Sequence, residues 1–427
     1  MQDWQKEKQL IIEDSKGCHL KATDGKWYLD GVSSLWVNVH GHKKKELNEA
    51  LIKQIGMVSH STLLGLGNVP SVELAKMLVD IAPKGLNKVF YSDNGSTAVE
   101  VALKMAFGYW QHRGFNKKIK FVSFVNAYHG DTIGSVSVGG IDMFHKAYKP
   151  LLFNTIKAEY PYCYRCQFRY PQCKINCVKR LEDILSKRHN QIAAVIIEPL
   201  VQAAAGMLVS PAGFLKQVRH LCTIYNCLMI CDEVATCFGR TGRMFACEHE
   251  NVSPDIMPVA KSISAGYLPI AATLTTDKIY DAFCGDYSQQ KTFFHGHTYT
   301  GNPLAAAVSI ANLKLFKTEQ TLKRLQPKIE FLKKSLKKFK NLRHVGDIRQ
   351  KGFMVGIELV GDKNTKMPYN WKDMIGVKTI MKARERGVIL RPLGNVIVLM
   401  PALAISQDEL KRLLDVTYWA INEATGH

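Results

Sequence analysis

The sequence lacks any apolar run that could cross a lipid bilayer, for which about 18 consecutive apolar residues are needed. Its N-terminal stretch, MQDWQKEKQLIIED, also lacks an apolar segment of the length found in signal peptides. Neither an internal repeat nor a low-complexity linker is present. We therefore expect a cytoplasmic protein that has no membrane partner.

Acidic residues are scarce relative to basic ones, because 37 Asp and Glu stand against 57 Lys and Arg and give a net charge of +20. Such an excess can indicate a protein that binds nucleic acids or acidic membranes. Many of the lysines, however, lie between Ile329, Leu332, Leu336 and Phe339, whose helical spacing predicts a helix with a solvated basic face. A platform of aromatic and arginine side chains for stacked bases is not visible. We expect no nucleic-acid partner, and a basic nucleic-acid-binding protein with a zinc loop is the remote alternative.

The 427 residues fit two packed lobes, or one large domain with an appendage. Short runs that are apolar on both faces alternate with helical patterns, which predicts an α/β fold with a mainly parallel sheet covered on both sides. The candidate strands are KVFYSD (88–93), IKFVSFV (119–125), AAVIIEP (193–199), CLMICDE (227–233) and IAATLTT (270–276). One helix is expected to begin near Thr97, and another after Ser210, with Ser210 as its cap and Pro211 in its first turn.

The two ends of the chain have a different pattern from the middle. Near the start, Asp24-Gly25 is a hairpin turn signal. After about residue 315 the chain continues as the basic helix and then as the strand-like runs GFMVGIELV and NVIVLMP. We expect residues 1–33 and 316–427 to build a small α+β domain together, and residues 34–315 to form the large domain.

Polar residues follow several of the strands, at the edge where open α/β sheets bind ligands. In YSDNGSTAVE, Gly95 and Ser96 lie between a strand and a helix, where backbone amides and the helix N-terminus favour an anion such as phosphate. Thr97 and Glu100 also fit a capping box, so an ordinary capped helix is the alternative interpretation.

Two charged residues stand at the ends of apolar segments. Asp232 follows CLMIC, where an ionised carboxylate needs a partner: a pyridinium nitrogen, a helix end or an arginine. Lys261, in PDIMPVAKSISAGYLPI, could snorkel to solvent or could lie in a pocket and do covalent chemistry. With the phosphate cup, these residues meet the three needs of pyridoxal phosphate, which are a carboxylate for the ring nitrogen, a lysine for the aldehyde and a cup for the phosphate.

At this point the chain resembles, over nearly its whole length, the class III aminotransferases of fold type I, which are pyridoxal-phosphate-dependent transaminases. The segments that carry the resemblance are SSLWVNVHGH (33–42), HSTLLG (60–65), AYHGDTIGSVSVGG (127–140), DEVATCFGRTG (232–242) and FFHGHTYTGNP (293–303). Within the family they are similar to the members that aminate 8-amino-7-oxononanoate in biotin biosynthesis. The resemblance implies ping-pong transfer from S-adenosylmethionine or lysine to this keto acid. The alternative is another class III ω-aminotransferase, which acts on a diamine or an ω-amino acid with a 2-oxo acid.

The resemblance also implies roles for individual residues. Lys261 would bind the coenzyme covalently and move the reacting proton, Asp232 would hold the ring nitrogen protonated, and Tyr128 would stack on the ring. The other implied positions are Gly95 and Ser96 on the phosphate, Glu198 and Gln202 near the ring, Trp36 along the acyl channel, Arg240 near the entrance, Gly296 and Arg391 on the substrate, and Thr298 on the phosphate of the neighbouring subunit of a homodimer.

Several of these residues have plainer interpretations. Tyr128 and Trp36 could be core aromatics, and Arg391 could cap a strand or bridge the lobes. His129 and His40 are expected to be packed histidines, because a lysine already supplies the base.

The chain departs from the family pattern at several positions. It has no N-terminal segment of the W-x-P-x-T-Q-M kind, so either the start is truncated or that wall of the pocket is built differently. Leu35 stands where members that use S-adenosylmethionine often carry tryptophan, which leaves the donor open between S-adenosylmethionine and lysine. Cys237, Ala204 and Ala265 stand where relatives commonly have glycine, and their side chains could narrow the pocket.

Four of the eleven cysteines form the cluster CYRCQFRYPQCKINC. Cys163, Cys166, Cys173 and Cys177 have spacing compact enough for a structural zinc ion or iron–sulfur cluster. The alternative is a loop of reduced or adventitiously oxidised cysteines. Because the chain is large and has no export signal, we expect most of its cysteines to be reduced thiols.

Overall fold

The computed structural model describes residues 9–166 and 171–426. Its strands are β1 (Ile12–Lys16), β2 (His19–Ala22), β3 (Trp27–Asp30), β4 (Leu86–Ser92), β5 (Lys120–Phe124), β6 (Ile156–Ala158), β7 (Ile192–Ile197), β8 (Val201–Gln202), β9 (Leu208–Val209), β10 (Leu228–Cys231), β11 (Ile256–Val259), β12 (Ala271–Thr276), β13 (Val345–Lys351), β14 (Met354–Asp362), β15 (Met367–Pro368), β16 (Val388–Ile389), β17 (Arg391–Leu393) and β18 (Val396–Leu399). Its α-helices, apart from an irregular turn at 33–36, are α1 (Lys45–Ile55), α2 (Val69–Ile81), α3 (Gly95–His112), α4 (Ile133–Val138), α5 (Asp142–His145), α6 (Val178–Arg188), α7 (Phe214–Ile224), α8 (Asp277–Tyr280), α9 (Pro303–Thr318), α10 (Thr321–Leu336), α11 (Ile375–Glu385) and α12 (Gln407–Thr425).

A seven-stranded sheet in the order β4-β12-β11-β10-β7-β5-β6 forms the centre of the molecule. Six of the strands run parallel, and β12 is antiparallel to its neighbours β11 and β4. Every residue of β7 is buried, as expected for a strand that is covered on both faces. The predicted α/β fold class with a mainly parallel central sheet is confirmed.

Two smaller sheets are built from the ends of the chain. The hairpin predicted at Asp24-Gly25 joins β2 and β3, and Gly25 has the positive φ of +82° that such a turn uses. This hairpin shares a four-stranded sheet with β1 and with β16 of the C-terminal part. The remaining C-terminal strands form an antiparallel sheet in the order β13-β14-β18-β17, with β15 paired to β14. The domain boundaries stay a prediction, and the first eight residues of the 1–33 segment lie outside the described residues.

Both predicted helix starts differ from the structure in detail. Helix α3 begins at Gly95, and its cap is Asn94, whose side chain accepts a hydrogen bond from the backbone N–H of Thr97. The hydroxyl of Thr97 in turn accepts one from the backbone N–H of Asn94. Glu100 instead accepts hydrogen bonds from α4 and its preceding residue, so the predicted Thr97–Glu100 capping box is wrong.

The helix predicted after Ser210 begins later than expected. Its first residue is Phe214, and Gly213, with φ of +90°, precedes it without a capping side chain. Ser210 and Pro211 therefore lie outside this helix.

The basic helix is α10, and its apolar face packs inward as predicted. Leu332 and Leu336 are buried, and Phe339 is buried in the 3-10 turn that follows. Within residues 9–166 and 171–426, no helix combines the length and apolar character that a membrane span requires.

Candidate active site

A cavity of about 220 Å³ opens at the carboxyl ends of the parallel strands. Each of the strands β4, β7, β10 and β11 is followed within a few residues by one polar group that lines it. Seven of the residues that the resemblance implicates meet there: Trp36, Gly95, Ser96, Tyr128, Glu198, Asp232 and Lys261. Sequence motifs that are far apart in the chain thus converge on one site, as the strand order requires.

Lys261 is the amine of this cavity. It stands two residues after β11 in a left-handed conformation with φ of +50°, an uncommon backbone state, and it lines the cavity. The ring of Trp36 lies close by, with its centroid 5.7 Å from Nζ of Lys261. Desolvation lowers the pKa of Lys261, although the nearby Asp232 carboxylate raises it in part. A buried amine with a lowered pKa is suited to act as a nucleophile and as a base.

Asp232 is held by a histidine. Its Oδ2 atom lies 2.6 Å from Nδ1 of His129, and its Oδ1 atom accepts a hydrogen bond from the backbone of Val234 at 3.0 Å. Both side chains are buried, and Nε2 of His129 has no hydrogen-bond partner in the described part of the chain. The expectation that His129 is only a packed histidine misses this contact, because no local pattern links residues 129 and 232. His40, by contrast, packs as expected, with Nε2 2.9 Å from the side chain of Asn312.

Glu198 is the second acid of the cavity and orients its walls. It accepts hydrogen bonds from the backbone of Tyr128 and of Ala203, both at 3.0 Å. Burial raises the pKa of Glu198 to about 8, with a further contribution from the charge of Asp232. Gln202 does not line the cavity, since its amide donates to the carbonyl of Val125 and is buried.

The phosphate cup is the N-terminus of α3. The first backbone N–H groups of a helix have no acceptor within the helix, and the cap of Asn94 satisfies only that of Thr97. The backbone N–H groups of Gly95 and Ser96 are therefore free to bind an anion. Gly130 approaches this turn so closely that a Cβ atom there would lie 2.1 Å from Oγ of Ser96. With the amine of Lys261 and a buried carboxylate in the same cavity, the residues present fit pyridoxal phosphate.

Arg240 does not lie at an entrance, so its predicted position is wrong. The side chain is fully buried, and its guanidinium donates to the carbonyls of Asn38 and Pro401, at 2.7 and 2.8 Å, and to the hydroxyls of Ser33 and Ser262. Desolvation lowers the pKa of Arg240 to about 10. The guanidinium holds together the loop of Trp36, the residue after Lys261 and the end of the chain's last strand.

Three predicted residues lie apart from the cavity of their own chain. Gly296 and Thr298 are exposed or half-buried in the segment 292–299, and Arg391 is exposed at the start of β17. The segment of Gly296 packs against residues 60–64, with the rings of His60 and Tyr299 4.9 Å apart. Thr298 is therefore not among the residues that line the cavity of its own chain.

The positions where relatives have glycine are accommodated differently. Cys237 is buried and its thiol lies 3.8 Å from the carbonyl of Ala260, behind Lys261. Ala265 adopts φ of +52°, a conformation that favours glycine, so the Cβ atom of this alanine makes the backbone conformation strained. Ala204 lines the cavity, where its methyl group takes space that glycine would leave open.

The cysteine cluster does not form a metal centre in the structure. Within the described residues, no group of three or more His, Cys, Asp or Glu side chains is placed to hold a metal ion. Residues 167–170 of the cluster lie outside that description. Burial raises the pKa of Cys163 and that of Cys177, which favours the thiol over the thiolate that a metal ion binds. The predicted zinc or iron–sulfur site therefore has no support among the described residues.

Known proteins resemble this chain over nearly all of its length. It is 54% identical to the adenosylmethionine-8-amino-7-oxononanoate aminotransferase of Aquifex aeolicus, over 99% of this chain and 94% of the relative. It is 52% identical to the enzyme of the same name from Geobacter sulfurreducens, over 100% and 95%.

The fold gives the same result. The crystal structure of the enzyme of that name from Methanocaldococcus jannaschii superposes with a TM-score of 0.95 at 45% identity, over 99% of this chain and 95% of that one. The sequence model of the family described as aminotransferase class-III matches residues 1–421. The resemblance seen in the motifs is confirmed, and the chain belongs to the class III aminotransferases, which are pyridoxal-phosphate-dependent transaminases.

Proposed function

We propose that this chain aminates 8-amino-7-oxononanoate to 7,8-diaminononanoate, the reaction named for the relatives that it matches at 52 to 54% identity. The observation that carries the chemistry is the meeting of Lys261, Asp232 and the N-terminus of α3 in one cavity. Pyridoxal phosphate, when bound there, supplies the electron sink that stabilises a carbanion next to nitrogen.

The residues of this chain then have separate roles in the reaction. Lys261, whose pKa is lowered by desolvation, binds the coenzyme and afterwards takes up and returns the substrate proton. Asp232, oriented by His129, would accept a hydrogen bond from the protonated ring nitrogen of the coenzyme. The backbone amides of Gly95 and Ser96 would bind the phosphate, and Tyr128, which lines the cavity, would cover one face of the ring.

The substrate carboxylate is assigned to Arg391. This side chain is exposed, and no hydrogen bond or ion pair engages it within residues 9–166 and 171–426. A guanidinium binds a carboxylate through two parallel hydrogen bonds, which lysine cannot reproduce. Trp36, beside Lys261, lines the path of the acyl chain, and Gly296 borders it from the neighbouring subunit.

The functional unit that we propose is a homodimer with shared sites. Large apolar side chains are exposed around the segment that holds Thr298, which is unusual for a surface that faces water. The exposed residues are Leu64, Leu66, Val69, Val72, Phe294 and Tyr299. A second copy that covers them places Thr298 against the phosphate of its neighbour.

The reaction is tested by incubating the holoenzyme with 8-amino-7-oxononanoate and either S-adenosylmethionine or lysine. We expect one donor to yield 7,8-diaminononanoate, identified by its mass, with ping-pong kinetics. If neither donor yields the diamine and the enzyme instead turns over a diamine or an ω-amino acid with a 2-oxo acid, the ω-aminotransferase alternative replaces this proposal.

A further inference from the structure

A second cavity, larger than the first, lies between the basic helix and the turn after Arg240. It has a volume of about 820 Å³ and shares no lining residue with the cavity of Lys261. One wall is α10 with the 3-10 turn that follows, the second is the end of β13, and the third is the turn at Thr241–Arg243. A concave space of this size is typical of small-molecule sites. We call it the basic cleft.

The basic cleft is lined by more cations than anions. Five basic side chains line it, against the single acid Glu330. They are Arg243, Lys333, Lys337, Lys340 and Lys351. No ion pair engages any of the five within the described ranges of the chain.

The placement of these cations is unfavourable for the empty protein. Lys333 and Lys337 are four residues apart on one helical face, where like charges repel. His249, which also lines the cleft, is affected by the same positive charge. Its pKa is lowered to about 4 by desolvation and then by the charges of Lys351 and Arg243. A bound anion would relieve this repulsion.

The floor of the basic cleft is fixed rather than pliable. Gln326 donates to the carbonyl of Gly242 at 2.9 Å, and Gln350 donates to the carbonyls of Ile329 and Gly352. Beside this floor, the hydroxyl of Thr241 is buried and has no hydrogen-bond partner among the described residues. The cleft therefore combines a rigid base, an unused polar donor and a cationic wall.

We propose that the basic cleft binds a small polyphosphate group, such as that of a nucleoside triphosphate or of inorganic tripolyphosphate. Several charges on one compact ligand match several lysines at helical spacing, which a single carboxylate does not. A phosphate chain also accepts hydrogen bonds from lysine ammonium groups and from a hydroxyl at the same time. The concave shape favours a compact ligand over an extended nucleic-acid strand.

The test uses the full-length holoenzyme, in which the coenzyme already fills the phosphate cup of α3. Binding of inorganic tripolyphosphate, and separately of ATP, is measured by calorimetry at low and at high salt. The charge-removing variant is Lys333→Gln with Lys337→Gln. The matched control is Lys323→Gln with Lys334→Gln, which removes the same charge from exposed positions of the same helix outside the cleft.

We expect tripolyphosphate to bind with a Kd of about 1 mM or tighter, more weakly as salt rises. The Lys333 and Lys337 variant should lose affinity by about tenfold or more, and the control by less than about twofold. ATP binding as tightly as tripolyphosphate would identify the phosphate chain as the recognised part, whereas much tighter ATP binding would identify a nucleotide.

Three results would overturn the proposal. They are the absence of binding, equal losses in the two variants, and tighter binding of a single-stranded RNA of about ten nucleotides that depends on the same lysines. Thermal unfolding and the visible absorbance of the coenzyme, measured on both variants, show that each is folded and loaded.

Discussion

Several ionisable side chains occupy one small cavity, and their protonation states depend on one another. Lys261 loses proton affinity through burial, while Glu198 gains it, and the charge of Asp232 acts on the pKa of both. Asp232 in turn shares a short contact with His129. Groups whose pKa values are moved in this way are typical of catalytic sites.

Glu198 makes the stability of the coenzyme-free enzyme depend on pH. Its pKa rises from an ordinary 4.5 to about 8 in the folded chain. The folded state therefore binds the proton more tightly than the unfolded state, and the resulting stability is complete below about pH 4.5 and is lost as pH rises through about 8. We expect Glu198→Gln to flatten the fall in melting temperature across this window.

The matched control for this experiment is Glu182→Gln, at an exposed position of α6. It should leave the pH profile of melting unchanged. If Glu198→Gln melted with the same pH dependence as the wild type, the carboxyl of Glu198 would be ionised throughout the range, and its pKa would not be raised by burial.

His129 should matter for turnover although its motif assigns it no role in the site. Removing it in His129→Phe leaves the buried carboxylate of Asp232 without its closest partner. A hydrogen bond to a charged group contributes about 1.5 to 3 kcal/mol, so we expect kcat to fall by about tenfold to a hundredfold. His129→Gln, which can still donate a hydrogen bond, should recover part of the loss. Turnover of His129→Phe within about twofold of the wild type would show that Asp232 does not need this partner.

Among the secondary-structure elements, the strands that the sequence predicts are the ones with continuous apolar runs. All five predicted strands are present, as β4, β5, β7, β10 and β12. The sequence does not predict two strands of the same sheet. Strand β6 has only three residues, and β11 contains Pro258, which weakens any strand pattern.

Helix starts are harder to predict than helices, because a cap is decided by backbone geometry. The Thr97–Glu100 pair has the right residues for a capping box, but Asn94 lies in the extended conformation that a cap requires and takes that place. The site shows the same limit. Motifs predict Lys261, Asp232 and the turn of α3, whereas the contact of Asp232 with residue 129 and the burial of Arg240 depend on tertiary packing.

Arg240 stabilises the join between several segments, because its four acceptors lie at 33, 38, 262 and 401. We expect Arg240→Met to lower the free energy of unfolding by at least about 3 kcal/mol, because the substitution leaves several buried oxygen atoms without a hydrogen-bond donor. Arg240→Lys should recover little of this stability, because one lysine ammonium group cannot reach all the acceptors that the planar guanidinium reaches. Urea unfolding of both variants measures these changes in the free energy of unfolding, and the coenzyme that each variant retains is measured alongside.

The control for this substitution is Arg243→Met, three residues along and exposed. It should change the free energy of unfolding by less than about 0.5 kcal/mol. A similarly small loss in Arg240→Met would show that the buried guanidinium is dispensable for the packing of these segments.

For the molecule as a whole, the exposed apolar surface around Thr298 suggests that one chain is an incomplete unit. Hybrid dimers can decide whether Thr298 serves its own cavity or its neighbour's. One subunit carries Lys261→Ala and the other carries Thr298→Ala. If Thr298 acts across the interface, one site of the hybrid is intact and the hybrid shows about half the wild-type activity.

The two parent homodimers are the controls. Lys261→Ala should be inactive, and Thr298→Ala should bind the coenzyme about tenfold more weakly, because a hydrogen bond to phosphate is lost. A hybrid that is no better than Thr298→Ala at limiting coenzyme would place Thr298 in the cavity of its own chain.

The amine of Lys261 is the group on which the proposed chemistry depends, and its role can be tested directly. The holoenzyme is reduced with borohydride and digested, and its peptides are mapped by mass spectrometry. We expect the reduced coenzyme on the peptide that contains Lys261, and no covalent coenzyme in Lys261→Ala. Coenzyme fixed to another lysine of the wild type, or fixed equally well in Lys261→Ala, would show that Lys261 does not bind it.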